Sequence, residues 1–250
     1  MAAFLESGVR GGWRGASLCS ALSGALLAGD LSACAGEGGR AREESVVPAA
    51  RPAAGGAPTL ENAGAPDPNG ELLLDDLSDG DARFTAGSIS GEWFTYSDGT
   101  STVTPPDHTG LLVSAGETHV VGQGFSDWGV GLSAYLRSAD LSAFCRLKLK
   151  LRGSGSLLLE VATPATSPAS EGGTCLGSGC FGHFATSLQL EPEYRDFELA
   201  FAELAQPSWA QPASLSLEAV ISFNLVAKVN AGTPANIDLW LDRLALEACP

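Results

Sequence analysis

Residues 144–152, FCRLKLKLR, carry the pattern that decides the fold. Apolar and cationic side chains alternate along this stretch, and a period of two is the spacing of side chains on a β-strand. The sequence therefore predicts a strand with Cys145 and three leucines facing a core and four cations facing solvent. A binding face for anions or acidic glycans is the alternative interpretation of the cations. They are Arg146, Lys148, Lys150 and Arg152.

Nine further strands are predicted on either side of this one, from short apolar or alternating runs that Gly, Pro, Asp and Ser interrupt. They cover residues 72–77, 92–97, 118–122, 129–136, 156–162, 187–190, 195–201, 219–227 and 237–246. No window sustains a helical stripe for more than about two turns, and no strand–helix–strand rhythm or internal repeat is present. Residues 71–250 are therefore expected to form an all-β domain, a β-sandwich or jelly roll.

Composition excludes several classes of partner. The 250 residues include 14 basic and 29 acidic side chains, a net charge of −15, so nothing would neutralise the phosphates of a nucleic acid. The same balance argues against docking on an anionic membrane through a basic patch. Apolar residues make up 44% of the chain, enough for a core, while 31 Gly and 14 Pro favour turns over helices.

The N-terminal residues are predicted to be a lipoprotein signal peptide, residues 1–33. Arg10 and Arg14 precede an uncharged, mostly apolar run of 13 residues, 16–28, which is too short to span a bilayer stably. Residues 31–34, LSAC, resemble the bacterial lipobox, in which the cysteine receives the lipid; that residue is Cys34. A plain secretory signal without lipid is the alternative.

Residues 34–70 are predicted to be a disordered linker, because they are rich in Ala, Gly and Pro and contain no aromatic side chain. An acylated Cys34 would attach the protein to a membrane through lipid alone. We therefore expect an extracytoplasmic protein at the outer membrane or cell surface, since the residue after the cysteine is Ala35 rather than Asp.

Four cysteines remain after the leader and the lipid site, and in an exported domain they indicate two disulfides with three connectivities. The short spacing of Cys175 and Cys180 favours one bridge between them, which leaves Cys145 to pair with Cys249. A zinc site built from all four thiolates is the alternative, although only one closely spaced pair exists.

Several motifs resemble a known family. The stretches are LDDLSDGD at 74–81, GEWFTYSDG at 91–99, VGQGFSDWGVG at 121–131, CFGHF at 180–184, Trp209, and DLWLDRL at 238–244. In this order they are similar to exported galactose-binding-like jelly rolls of bacteria that are related to the family 11 carbohydrate-binding modules. Three positions depart from the pattern: Gly182 stands in place of Asp, Ala210 in place of Gly, and Arg243 in place of a second Asp.

The resemblance implies a non-catalytic carbohydrate-binding domain, expected to be a monomer whose partner is a glycan or envelope polysaccharide. Stacking on sugar rings needs exposed aromatic faces, and the candidates at loop or strand boundaries are Trp128, Trp209 and His183. Trp93 and Trp240 lie within strand patterns and are expected in the core. The alternatives are a structural or adhesive envelope lipoprotein that binds a protein, and a small polysaccharide hydrolase with two carboxylates across a cleft.

Clustered acidic residues suggest one structural calcium ion as the only cofactor. The hypothesis places Asp76, Asp79 and Asp81, which follow the first strand, near Asp242 of the last, because first and last strands are often neighbours in such jelly rolls. Turn chemistry explains the same residues equally well. The sequence contains no nucleophile elbow, zinc-protease motif, phosphate loop or dinucleotide fingerprint, so we expect no enzyme.

Overall fold

The computed structural model describes residues 65–250, which form an all-β domain with three short 3₁₀ turns. The turns are Pro164–Thr166, Ala169–Glu171 and Phe201–Glu203. The strands are β1 (Glu71–Asp75), β2 (Arg83–Ala86), β3 (Ile89–Ser97), β4 (Val103–Thr104), β5 (Val113–Ser114), β6 (Glu117–Phe125), β7 (Gly129–Ala139), β8 (Phe144–Ser154), β9 (Ser156–Ala162), β10 (Phe184–Gln189), β11 (Arg195–Ala200), β12 (Val220–Lys228) and β13 (Ala235–Ala248).

The strands form two antiparallel sheets that pack face to face as a β-sandwich of the jelly-roll type. The six-stranded sheet has the order β10-β9-β12-β7-β3-β2. The seven-stranded sheet has the order β11-β8-β13-β6-β4, with β1 added to β13 and β5 added to β6. The predicted fold class is confirmed.

One apolar core fills the space between the sheets, and the alternation along each strand supplies it. In β8 the side chains of Leu147, Leu149 and Leu151 are buried between the sheets. Leu132 of β7 and Leu159 of β9 meet them from the six-stranded sheet and are at most 1% exposed. Burial of a leucine side chain contributes about 1.5–3 kcal/mol, so these layers supply the main driving force for folding.

The four cations of β8 lie on the outer face of the seven-stranded sheet, and each lies within 4 Å of a carboxylate. The pairs are Arg146 with Glu247 (3.3 Å), Lys148 with Glu247 (2.8 Å), Lys150 with Asp242 (2.9 Å) and Arg152 with Glu117 (3.6 Å). This paired arrangement is that of a solvated strand face rather than an anion site.

All ten predicted strands are present, whereas β2, β4 and β5 were missed. These three contain four, two and two residues, which is too short for an alternating pattern to be recognised. The expectation that Cys145 faces the core is also wrong. The β8–β13 register shifts between Glu247 and Ala248, and Cys145 is exposed while Phe144 is buried.

Both disulfides favoured by the cysteine spacing are present. Cys145 in β8 is bonded to Cys249, directly after β13, and Cys175 is bonded to Cys180 in the segment between β9 and β10. The first bridge ties the C-terminal residues to the neighbouring strand. With all four thiols in disulfides, the zinc alternative is excluded for this state of the protein.

The predicted signal peptide, the lipid site at Cys34 and most of the predicted linker lie outside the described residues. Residues 65–70, the end of that linker, form a turn in which an Asp67 carboxylate oxygen accepts hydrogen bonds from the backbone N–H of Asn69 and Glu71. Within residues 65–250, no helix has the length and apolar character needed to cross a membrane.

The two disulfides are expected to differ in their effect on stability. They close loops with sequence separations of 104 and 5 residues, and loop-closure entropy grows with loop length. We predict that replacing both Cys145 and Cys249 with Ser lowers the free energy of unfolding by about 4.7 kcal/mol, against about 2 kcal/mol for the same change at Cys175 and Cys180. Urea denaturation measures both, and equal losses would contradict the prediction.

Candidate functional site

A groove runs over the outer face of the six-stranded sheet, above β9, β12, β7 and β3, and encloses about 790 Å³. Its floor contains polar side chains that are largely buried beneath the surrounding walls: Ser133, Glu160, Ser222 and Asn224 are each less than 9% exposed. The Ser133 hydroxyl donates a hydrogen bond to Asn224 Oδ1 at 2.8 Å. We call this space the central groove.

A second depression of about 670 Å³ continues the central groove across β3 toward β2. The two share Phe94, His108, Tyr135 and Glu171 in their walls. Together they cross five adjacent strands. At about 4.8 Å between strands, the combined groove is about 19 Å long, which suits an extended ligand of several units.

Aromatic rings line the β3 side of the central groove. The Tyr96 ring stacks on Trp128, with 5.7 Å between ring centroids and 26° between planes. Phe94 packs against both Tyr96 and Tyr135 at 6.3 Å. Gly131 makes this possible, because a Cβ atom there would lie 2.6 Å from the Tyr96 ring. The absence of a side chain at Gly131 lets Tyr96 lie across the sheet beneath Trp128.

Asp98 fixes the backbone on both sides of Trp128. Its Oδ2 accepts hydrogen bonds from the backbone N–H of Asp127 at 3.0 Å and of Gly129 at 2.9 Å. Its Oδ1 accepts bonds from the N–H and the hydroxyl of Thr100. Desolvation acts to raise the pKa of Asp98, but these hydrogen bonds outweigh it and lower the pKa to about 2. The carboxylate is therefore charged at neutral pH and holds the Trp128 loop in place.

The opposite wall contains the loop closed by the Cys175–Cys180 disulfide. Phe181 and Trp209 line the groove here and are 53% and 57% exposed. Phe181 has a left-handed backbone conformation, with φ of 68°, and its N–H donates to the carbonyl of Thr166 at 2.8 Å. Such a conformation is costly for an aromatic residue, so the surrounding contacts must hold it.

Gly182 and Ala210, two positions where the sequence departs from the motifs that it resembles, contact each other in this wall. A Cβ atom at Gly182 would lie 2.1 Å from the Cβ of Ala210, so the site has room for one side chain but not for both. Gly182 therefore fits beside Ala210, whereas a side chain at position 182 would clash with it. The wall beside Trp209 has no carboxylate at either of these two positions.

His183 lies at the groove wall but is only 7% exposed. Its Nδ1 is 2.8 Å from the Thr166 hydroxyl, which fixes the orientation of the ring. Burial, with a smaller contribution from the charge of Lys228, lowers the pKa of His183 to about 4. The imidazole is therefore uncharged at neutral pH and presents only a small surface to the groove.

Glu160 and Lys228 form an ion pair in the central groove. The Lys228 ammonium donates to Glu160 Oε1 at 2.5 Å. The Glu160 side chain is 7% exposed, whereas that of Lys228 is 36% exposed. Burial raises the pKa of Glu160, and the neighbouring Lys228 acts in the opposite direction.

Trp128, Trp209 and His183, the three residues predicted from the sequence, all line this one groove. The sequence analysis did not identify Phe94 and Tyr96, whose side chains also line the groove. The signal was present in residues 92–97, EWFTYS, because the alternation that buries Trp93 turns Phe94 and Tyr96 to the other face.

The prediction that Trp240 lies in the core is wrong. It projects from the outer face of the seven-stranded sheet and is partly exposed. His119 stacks on its ring with 4.0 Å between centroids, and the Arg152 guanidinium lies 4.1 Å from the ring centroid. His119 and Arg152 are its cross-strand neighbours on β6 and β8, so polar neighbours on both sides stabilise Trp240 outside the core.

The residues proposed for calcium do not meet as one site. Asp242 accepts a hydrogen bond from Lys150 at 2.9 Å, while Asp76, Asp79 and Asp81 each accept one from the N–H two residues ahead. Across residues 65–250, no three His, Cys, Asp or Glu side chains are grouped to hold a metal ion. These hydrogen bonds are typical of turns. Calcium binding stays a prediction, and the four proposed aspartates are not grouped around one position.

The Asp98 carboxylate is expected to determine the order of the Trp128 loop. In Asp98→Asn the neutral side chain is a weaker acceptor for the N–H groups of Asp127 and Gly129. We predict about tenfold faster hydrogen exchange at the Gly129 amide, the effect of losing about 1.4 kcal/mol of protection. Asp140→Asn is a matched control, because Asp140 accepts from the Ser142 N–H in another turn. Unchanged exchange at Gly129 would contradict this role.

Buried His183 is expected to make the fold sensitive to acid. Its folded-state pKa lies below the unfolded value of 6.5, so the unfolded chain binds the proton first as pH falls. The contribution of neutral His183 to the free energy of unfolding is therefore present above pH 6.5 and lost toward pH 4. We predict that between these two pH values the free energy of unfolding falls by up to about 3 kcal/mol more in wild type than in His183→Gln. Chemical denaturation at each pH measures the difference, and parallel profiles would refute it.

Comparison with known proteins supports the architecture. No protein-family model matches the chain, and no curated protein matches it. The family 11 carbohydrate-binding module of the cellulosomal cellulase Lic26A-Cel5E of Clostridium thermocellum is similar, at 18% identity and a TM-score of 0.50, over 73% of this chain and 97% of that one. The Clostridium thermocellum module in complex with a β-1,3-1,4-mixed-linked tetrasaccharide matches at the same identity and score, over 73% and 98%. The chain thus shares the β-sandwich fold of these modules.

Proposed function

We propose that this protein is a non-catalytic, extracytoplasmic glycan-binding protein and that the combined groove over the six-stranded sheet holds the glycan. The observation that carries the proposal is the composition of that groove, in which aromatic rings flank a polar floor. Of the six large apolar side chains that are exposed among the described residues, three line the central groove. They are Trp128, Phe181 and Trp209.

This composition matches the two chemical faces of a sugar chain. Sugar rings present C–H surfaces that stack on aromatic faces, which Trp128 and Trp209 offer at the groove walls. Sugar hydroxyls need hydrogen-bonding partners, and Ser133, Asn224 and Glu160 present oxygen and nitrogen atoms at the floor. A length of about 19 Å accommodates a short run of sugar units rather than a single one.

The similar module in complex with a mixed-linked tetrasaccharide supplies a rational first probe. At 18% identity the likeness fixes no specificity, so the partner is proposed only as a glycan or envelope polysaccharide. Because aromatic stacking tolerates several sugars, a panel of polysaccharides should accompany the tetrasaccharide.

The proposal places the protein on the cell surface or outer membrane, attached through lipid at Cys34, as a monomer. Two disulfides support an oxidising compartment outside the cytoplasm. Palmitate labelling of cells that express the full chain, compared with Cys34→Ser, tests the lipid. Equal labelling of both proteins would contradict the anchor.

A protein-binding envelope lipoprotein is the second candidate, and one surface feature favours it. Leu176, at the tip of the disulfide loop, is 81% exposed and does not line the groove. An exposed apolar side chain of this kind is typical of protein contacts. Leu176→Ser leaves the lipid anchor in place, so loss of cross-linking to an envelope protein in this variant, with glycan binding unchanged, would support this candidate.

The aromatic walls give the direct test of glycan binding. We predict that Trp128→Ala and Trp209→Ala each weaken binding of the full chain to its best glycan about tenfold, because each removes a stacking surface worth about 1.4 kcal/mol. Isothermal titration calorimetry measures the change after a glycan-array screen. Trp240→Ala is the control, since Trp240 lies on the other sheet, and thermal unfolding checks that each variant folds. Binding that survives both groove substitutions would overturn the proposed site.

A further inference from the structure

The charges of the central groove are distributed unevenly between its floor and its walls. Among the described residues that line it, Lys228 is the only Lys or Arg. The carboxylates are Glu160 on the floor and Glu171 in the wall. His183 adds no charge at neutral pH because burial keeps it deprotonated. Lys228 is therefore the one Lys or Arg among the described lining residues, and it is already paired with Glu160; the other imidazole of the groove, His108, packs against Phe94.

The pairing with Glu160 is strongly constrained by burial. Glu160 lies opposite Asn224 in the β9–β12 register, and only 7% of its side chain is exposed. A carboxylate in such a place needs a compensating charge, because breaking a buried pair leaves an unpaired charge in a poorly solvated site. Lys228 cannot turn toward an anionic ligand without leaving Glu160 in that state. The more exposed Lys228 is therefore held by its buried partner.

Other cations near the combined groove do not give it a net positive charge. Arg83 lines the depression toward β2 together with the carboxylates of Asp81 and Glu92. Arg137 donates to Glu92 at 2.9 Å. The four cations of β8 belong to the opposite sheet and are paired there with carboxylates. An acidic ligand entering the groove thus meets more negative than positive charge, on a chain whose net charge is −15.

We propose that the Glu160–Lys228 ion pair is the charge-selectivity element of the groove, which admits uncharged glycans and excludes glycans that carry carboxylates, such as uronic acid polymers. This inference rests on the proposed glycan-binding function and adds the class of ligand and the residues that select it. Hydroxyl groups can hydrogen-bond to either member of the intact pair. A uronate carboxylate instead is repelled by Glu160 and finds no free cation.

Neutralising Glu160 without removing its shape reverses the selection. In Glu160→Gln the Lys228 ammonium becomes an unpaired cation in the groove. The freed ammonium attracts a ligand carboxylate, and the expected gain in affinity is about tenfold, or about 1.4 kcal/mol. The expected readout is the ratio of dissociation constants for a β-1,3-1,4-glucan tetrasaccharide and a galacturonate tetramer. We predict that Glu160→Gln changes this ratio about tenfold in favour of galacturonate binding.

Glu171→Gln is the matched control, because it removes the same charge from the same groove without freeing Lys228. Its ratio is predicted to shift less than threefold. The double variant with Glu160→Gln and Lys228→Met tests whether the freed Lys228 ammonium causes the gain in galacturonate binding. This gain is predicted to be absent in the double variant. Calorimetry on the full chain at low and at physiological salt gives all the constants, and thermal unfolding confirms folding.

The outcomes separate this inference from the function on which it rests. Wild type that binds glucan, combined with equal shifts in Glu160→Gln and Glu171→Gln, overturns the selectivity element and leaves glycan binding intact. Wild type that prefers galacturonate also overturns it. Folded wild type that binds neither probe nor any member of the glycan panel overturns both. If Glu160→Gln alone fails to fold, a tenfold shift toward galacturonate in the double variant, which has no Lys228 ammonium to free, still contradicts the assignment.

Discussion

Burial of apolar side chains between the two sheets is the constraint on which the rest of the molecule depends. Strands such as β8 and β3 alternate over most of their length, so once Leu147 or Trp93 enters the core, the neighbouring side chains face outward. On the seven-stranded sheet those outward positions hold paired charges. On the six-stranded sheet they hold Phe94, Tyr96, Ser133 and other groups that form the groove. The core thus determines which residues are available for binding.

The groove depends on a few local features that the core does not specify. Gly131 leaves space for the Tyr96 ring, and Asp98 fixes the backbone around Trp128. On the other wall, Gly182 and Ala210 let two loops approach closely beside Trp209. These contacts orient the aromatic surfaces before a ligand arrives, so little ordering entropy remains to oppose binding.

The sequence predicted the main strands because the alternation and the short apolar runs are local signals, and β9 was predicted with its observed limits. It located Trp128 and Trp209 through their positions at boundaries. It could not place Asn224, because β12 is buried along nearly its whole length and shows no alternation. Nor could it find the Glu160–Lys228 pair, whose members are 68 residues apart and meet only through the order of strands β9 and β12.

Glycan binding in the groove is tested by an amide chemical-shift titration of the isotope-labelled protein with the β-1,3-1,4-glucan tetrasaccharide. If the groove binds glycan, the largest shifts fall on residues of the central groove, including Trp128, Gly131 and Asn224, and on the wall around Trp209. The outer face of the seven-stranded sheet, around Trp240, should remain unchanged. Shifts concentrated on that face, or no shifts with this or any other glycan, would show that the groove is not a glycan-binding site.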